Sequence, residues 1–164
     1  MKLLLAVPAL VVLAIAVAHS TPLSPPPAVS CDSAAMFTEP PKPSAGERVL
    51  FGRVAVPPGY MAQVVSVSGD WHYWRKAGLL VRAGTKRVSV TVPEPWRNRA
   101  AITWGDSGTV AALRIELCNR PPYKWNAYAG GFYFRKAACV PLVVRVGARS
   151  TTIRFGVGVR CPSQ

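Results

Sequence analysis

Acidic residues are scarce in this chain: seven Asp and Glu stand against 20 Lys and Arg among 164 residues, a formal net charge of +13. Asp70, Glu94, Asp106 and Glu116 occur singly, which argues against the paired carboxylates of a glycoside hydrolase and the oxygen-rich shell that calcium needs. Histidine is limited to His19 and His72. Asp70 and His72 have the spacing to share a strand face near Ser66 or Ser68. A triad, however, also needs convergence on an oxyanion hole, and no Gly-x-Ser-x-Gly elbow is present. A secreted hydrolase is therefore the weakest of the functional readings. The four cysteines, Cys31, Cys118, Cys139 and Cys161, include no close pair, whereas structural zinc sites bring short C-x-x-C steps. No metal and no cofactor is expected. Also lacking are a helical period, an arginine-rich helix and an aromatic RNA-binding signature, which disfavours nucleic acid as a partner despite the charge.

No apolar run is long enough to span a bilayer. The longest, residues 3–17, falls short of the roughly 20 residues a helical span needs, and Pro8 interrupts it. Lys2, the apolar run and then Ala16-Val17-Ala18 have the layout of a secretory signal peptide, with Ala18-His19-Ser20 as a second cleavage site. Residues 1–18 are expected to be removed, leaving no transmembrane span and an extracellular or envelope-associated protein; a retained anchor is the alternative. An oxidising compartment makes the cysteines disulfide candidates. Lipid attachment at Cys31 would leave an odd thiol and follows three prolines, Pro25 to Pro27, so it is disfavoured.

What is abundant is proline near the N-terminus and alternation after it. Residues 19–46 hold seven prolines and read as an extended, mobile tail pinned only at Cys31. Residues 47–164 then read as a single domain. Period-two patterns at 87–92 and 111–117, with similar stretches at 49–56, 61–67, 78–82, 100–104, 131–135, 140–146 and 152–159, predict eight or nine strands. Turn signals such as Pro57-Pro58-Gly59, Ser68-Gly69-Asp70, Ala83-Gly84-Thr85 and Asp106-Ser107-Gly108 separate them. The fold class is all-β, an antiparallel sandwich of immunoglobulin-like or jelly-roll-like kind. A four-residue turn at 147–150 would set Val146 opposite Thr151, Val144 opposite Ile153 and Leu142 opposite Phe155. In that register a Cys139–Cys161 bond needs a bulge or a strand end, which Gly156 and Gly158 can supply. All three disulfide connectivities stay open, at about 2–4 kcal/mol per bond.

The expected domain carries 18 Lys and Arg against five acids. Such an excess attracts anions over about a Debye length, roughly 8 Å at physiological salt. Outside the cytoplasm the candidates are anionic lipid, cell-wall polymer and polyanionic glycan. A plainer reading is a solvated basic surface, since the charges are spread along the chain. Aromatic residues offer a second candidate site at Trp71, Tyr73, Trp74, Arg75 and Lys76: exposed rings suit a carbohydrate-binding module, and Trp74 with Arg75 suits a cation–π pair. Core filling is the plainer role for these rings and for Trp96, Trp104 and Trp125.

The C-terminal run carries Trp125, Gly130-Gly131-Phe132, Ala138-Cys139-Val140-Pro141-Leu142, Gly156-Val157-Gly158 and Cys161. It resembles the C-terminal portion of small secreted actinobacterial β-domain proteins. The resemblance covers about a quarter of the chain; it implies an exported, disulfide-containing β-domain and brings no catalytic residues. The expected function is therefore non-catalytic binding of an anionic envelope or extracellular component, with carbohydrate binding as the alternative.

Overall fold

Alternating side chains sort a strand into a buried and a solvated face, and in the computed structural model this is plain over Val88–Thr91, Ala112–Ile115, 142–146 and 151–155. The structure describes residues 24–162 except positions 38 and 63. The signal segment, both cleavage sites and the first residues of the Pro-rich stretch lie outside the described residues. Strands β1 (Ala28–Val29), β2 (Arg48–Leu50), β3 (Val54–Val56), β4 (Tyr60–Met61), β5 (Val65–Ser66), β6 (Tyr73–Lys76) and β7 (Leu79–Arg82) make up the first half. The second half holds β8 (Val88–Thr91), β9 (Ala100–Trp104), β10 (Ala112–Ile115), β11 (Trp125–Tyr128), β12 (Gly130–Phe134), β13 (Ala138–Val146) and β14 (Arg149–Val157).

A six-stranded sheet, ordered β1-β10-β8-β13-β14-β4, forms one layer. Two four-stranded sheets, β11-β7-β3-β2 and β5-β6-β12-β9, form the other. These two share chain paths, because β6 continues into β7 across Ala77-Gly78 and β11 into β12 across Ala129. At this corner the backbones approach so closely that a Cβ on Gly131 would run into the Arg75 carbonyl oxygen, and one on Gly130 into the Thr103 carbonyl oxygen. Glycine is required there by space. Between the layers lies one apolar cluster that includes Val81, Ile102, Trp104, Phe132, Phe134, Leu142, Val144, Ile153 and Phe155. The rings of Phe132 and Phe155 meet across it at 5.2 Å.

The all-β, sandwich-like fold agrees with the alternation, and fourteen strands among the described residues exceed the expected eight or nine for identifiable reasons. Residues 49–56 are a hairpin rather than one strand, turning at Phe51 and Gly52, both at positive φ. Residues 61–67 divide between β4 in one layer and β5 in the other. The turn after β13 has two residues, Gly147 and Ala148, with φ +60 at Gly147 as in a type II′ hairpin. Val146 therefore faces Arg149, Val144 faces Thr151, and Leu142 faces Ile153. This is a slip of two from the expected register, and the apolar faces are unchanged because the side-chain period is also two.

Both disulfides are closed, Cys31–Cys118 and Cys139–Cys161. The second uses the strand end: beyond Val157 the chain turns at Gly158 (φ +70) and folds back over Gly156, the partner of Cys139 in the ladder. The first ties down a segment that is more built-in than a mobile tail. Val29 is fully buried, Ala28–Val29 pairs in parallel with Arg114–Ile115, and the Ala35 amide donates to the Ala127 carbonyl. Its prolines leave few donors, but it contributes acceptors: the Arg114 and Glu116 amides bond to the Pro27 and Val29 carbonyls. No helix among the described residues is long and apolar enough to cross a membrane.

One buried group gives this fold a pH dependence. The Tyr128 hydroxyl is enclosed without a hydrogen-bond partner. Burial pushes its pKa up to about 12; the Arg120 charge opposes this, while Asp106 and Glu116 reinforce it. The folded chain holds this proton where the unfolded chain releases it near pH 10, so stability is fully present below pH 10 and is lost as pH rises through 12. Denaturant midpoints should fall across that window, and Tyr128→Phe should remove part of the fall. At pH 7 the same variant should be neutral or stabilising by about 1 kcal/mol, because it deletes an unpaired buried hydroxyl.

Candidate functional site

The β9–β12 ladder ends with Ala100 opposite Phe134, both buried in the core. The next residues are Arg99 and Arg135, held side by side by a bond from the Arg135 amide to the Arg99 carbonyl at 3.0 Å. Both side chains are solvent-exposed. The Arg99 guanidinium lies over the Trp96 ring at 5.2 Å, and the Arg135 guanidinium over the Trp71 ring at 5.6 Å. Trp96 is positioned by a short 3-10 turn, Glu94–Trp96, which Pro95 favours by fixing its own φ. Together Trp96, Arg99, Arg135, Lys136, Ala137 and Ala138 line a cleft of about 440 Å³. No acid lines it, and none of the three cations has a carboxylate within ion-pairing distance among the described residues. Like charges opposite each other across a ladder destabilise it, so the free cleft carries a repulsion that an anion would relieve.

The five residues singled out in the sequence are distributed rather than gathered into one platform. Trp71 precedes β6 and lies under the Arg135 guanidinium, next to the cleft and not among the residues that line it. Tyr73 turns inward and stacks on Phe134 at 5.6 Å. Trp74 lies on the opposite face beside Tyr133 at 6.5 Å, half-buried, with its indole N–H enclosed and unpartnered. Arg75 does not stack on Trp74, because consecutive strand residues face opposite ways; it is half-buried and its Nε lacks a partner. Lys76 is exposed at the rim of a different, largely apolar groove formed with Phe37, Leu80 and Ala127. Trp104 is core, and Trp125 covers a small cluster of Ala55, Leu80 and Ala127 on the outer side of its sheet. His72 is exposed with its ring edge-on to Tyr73 at 6.5 Å, and no hydrogen bond joins it to Asp70 or to a serine among the described residues.

Arg99, Arg135, Lys136 and Trp96 were not legible as a site. The one local signal is Trp96-Arg97-Asn98-Arg99, and its partner Arg135-Lys136 follows β12, 36 residues on from Arg99, where only tertiary pairing brings it alongside. Among the described residues no group of three or more His, Cys, Asp or Glu is placed to hold a metal. Comparison with protein-family models, with curated proteins and with solved structures finds no match to this chain.

Proposed function

We propose that this is an exported, non-catalytic binding domain whose ligand is an anionic component of the cell envelope or extracellular space. The observation that carries this reading is the cleft at the end of β9 and β12, where two arginines stand side by side over indole rings, with Lys136 beside them and no acid. Indole faces fix both guanidiniums without neutralising them, leaving their N–H forks available to phosphate or carboxylate oxygens. The expected export signal and both disulfides fit an oxidising compartment, where envelope polymers and anionic lipids are the abundant anions.

The test is binding to anionic vesicles and to a soluble wall polymer across a salt series. Affinity should fall about tenfold or more as salt is raised from low to physiological ionic strength, since exposed cations act within a Debye length. Arg99→Gln/Arg135→Gln should weaken binding at low salt by roughly tenfold to a hundredfold, the scale of one or two charge-assisted contacts. Salt-insensitive binding would instead favour carbohydrate recognition, for which the half-buried Trp74–Tyr133 pair is the available platform. Neutral oligosaccharide binding that is lost in Trp74→Ala and retained in the arginine variant would replace the electrostatic reading.

A further inference from the structure

A second cationic surface lies on the six-stranded layer, at the far end of β13. In the six-stranded sheet, Val88, Val90, Leu113, Ile115, Val144 and Val146 point into the core, so the residues between them face outward. The register aligns Arg114, Ser89, Arg145 and Ser150 in one row across four strands. Arg114 and Arg145 thus stand two strands apart, with backbones about 10 Å from each other and a serine hydroxyl between. They open onto a groove of about 520 Å³ that Arg87 and Gly147 close at the hairpin end. Glu116 and Leu117 also line it, so the groove sets three cations against one acid. Arg114 spends its Nε on the Pro26 carbonyl at 3.3 Å, which orients the guanidinium and leaves its terminal nitrogens for a ligand.

The two cationic sites are joined by one rigid element. Ala138, the first residue of β13, lines the cleft of Arg99 and Arg135, whereas Arg145 near its other end lines the groove. Seven residue steps of strand, hydrogen-bonded on both sides over Val143–Val146, separate Ala138 from Arg145 by roughly 23 Å at about 3.3 Å per residue. The cleft draws its lining from both layers at one end of the sandwich, whereas the groove is lined from the six-stranded sheet alone. A single short anion cannot occupy both, but two chains can each take one.

We propose that the groove of Arg87, Arg114 and Arg145 is a second anion site, that its ligand is a linear phosphate-bearing polyanion, and that the domain cross-links such chains by holding one at each end of β13. The row geometry favours a chain over a bilayer: guanidinium forks alternate with serine hydroxyls along a flat sheet face, so bidentate contacts to phosphate oxygens can repeat along it. The groove stands on its own observations, whereas the cross-linking rests also on the function proposed for the cleft.

Inorganic polyphosphate and tripolyphosphate serve as probes. Calorimetry with tripolyphosphate should give two sites per wild-type chain, one in Arg114→Gln/Arg145→Gln and one in Arg99→Gln/Arg135→Gln. Long-chain polyphosphate should make the wild type turbid near charge equivalence, with clearing in high salt, and neither double variant should become turbid although each still binds. Arg48→Gln/Lys124→Gln, which removes two exposed cations elsewhere, should behave as wild type. If Arg114→Gln/Arg145→Gln leaves both site number and turbidity unchanged, the groove is not a site and the cleft reading survives. If instead Arg99→Gln/Arg135→Gln has no effect while the groove variant abolishes binding, the cleft reading fails and cross-linking with it. An equal loss in all three variants would mean diffuse attraction to surface charge and overturn both.

Discussion

Replacing Cys31 and Cys118 by serine is expected to lower the unfolding free energy by about 4–5 kcal/mol, the largest effect of any change outside the core. The bond closes 87 residues of sequence, against 22 for Cys139–Cys161. The chain-entropy account gives about 3 kcal/mol for a 15-residue loop and about 4.7 for a 100-residue one, so Cys139→Ser/Cys161→Ser should cost less, about 3. On the folded side the N-terminal segment has other attachments: Val29 is buried, the Asp106 carboxylate accepts from the Ser30 amide, and Arg120 pairs with Asp32 at 3.1 Å. That ion pair contributes little, since Asp32 is 98% exposed. The variant should therefore fold, with β1 detaching more often than the rest of its sheet. Guanidinium midpoints followed by tryptophan fluorescence measure the first effect; faster hydrogen exchange at the Arg114 and Glu116 amides, whose acceptors are Pro27 and Val29, measures the second. A midpoint shift no larger than that of the Cys139–Cys161 variant would show that the bond does not act by closing the longer loop.

That N-terminal segment marks the boundary of what could be read from sequence. The alternation of Val88 to Thr91 and of Ala112 to Ile115 specifies half-buried strands by itself, because one face must be apolar whatever the topology. The same holds for the faces of β13 and β14, which survived an error in the turn. A two-residue strand such as Ala28–Val29 has no period to detect, and it exists because the edge of β10 offers unpaired amides and Cys118 fixes the approach. The corner at Gly130 and Gly131 was equally hidden: the glycines are visible in the sequence, but which backbones crowd them is a property of the packed sheets.

The residues of the candidate cleft were missed for a related reason. Trp71 and Trp96 are conspicuous in sequence as aromatics, and core filling is the ordinary use of such rings. Their role here is to carry guanidiniums, and those come from Arg135 and Arg99, each distant in sequence from at least one other member of the cleft. Net charge made anions the expected partner class without pointing to any place on the fold. Long-range register decides that, by ending the β9–β12 ladder just where both strands change from buried to basic residues.

Trp104 connects this core to the site, and Trp104→Ala is expected to cost about 3–5 kcal/mol for the lost ring and its cavity, with about 1 kcal/mol more for a hydrogen bond. The indole is 1% exposed, meets Phe132 edge-on at 5.5 Å, and donates its N–H to the Ala77 carbonyl at 2.8 Å. Ala77 lies at the bend between β6 and β7, and its amide donates to the Gly130 carbonyl, so one side chain joins both corner strands. Without it the Ala77 carbonyl is buried unpaired and β6 loses its inner support. Trp71, two residues before the start of β6, then loses its position beneath Arg135. Trp104→Phe separates the two contributions, because it keeps most of the apolar contact and removes the donor; its cost should be about 1–2 kcal/mol. Denaturant midpoints at constant slope measure both variants. Anion affinity measured well below the midpoint should drop several-fold in Trp104→Ala and stay near wild type in Trp104→Phe. Equal affinity in all three proteins would mean that the cleft is held by β9 and β12 alone, without support from the corner.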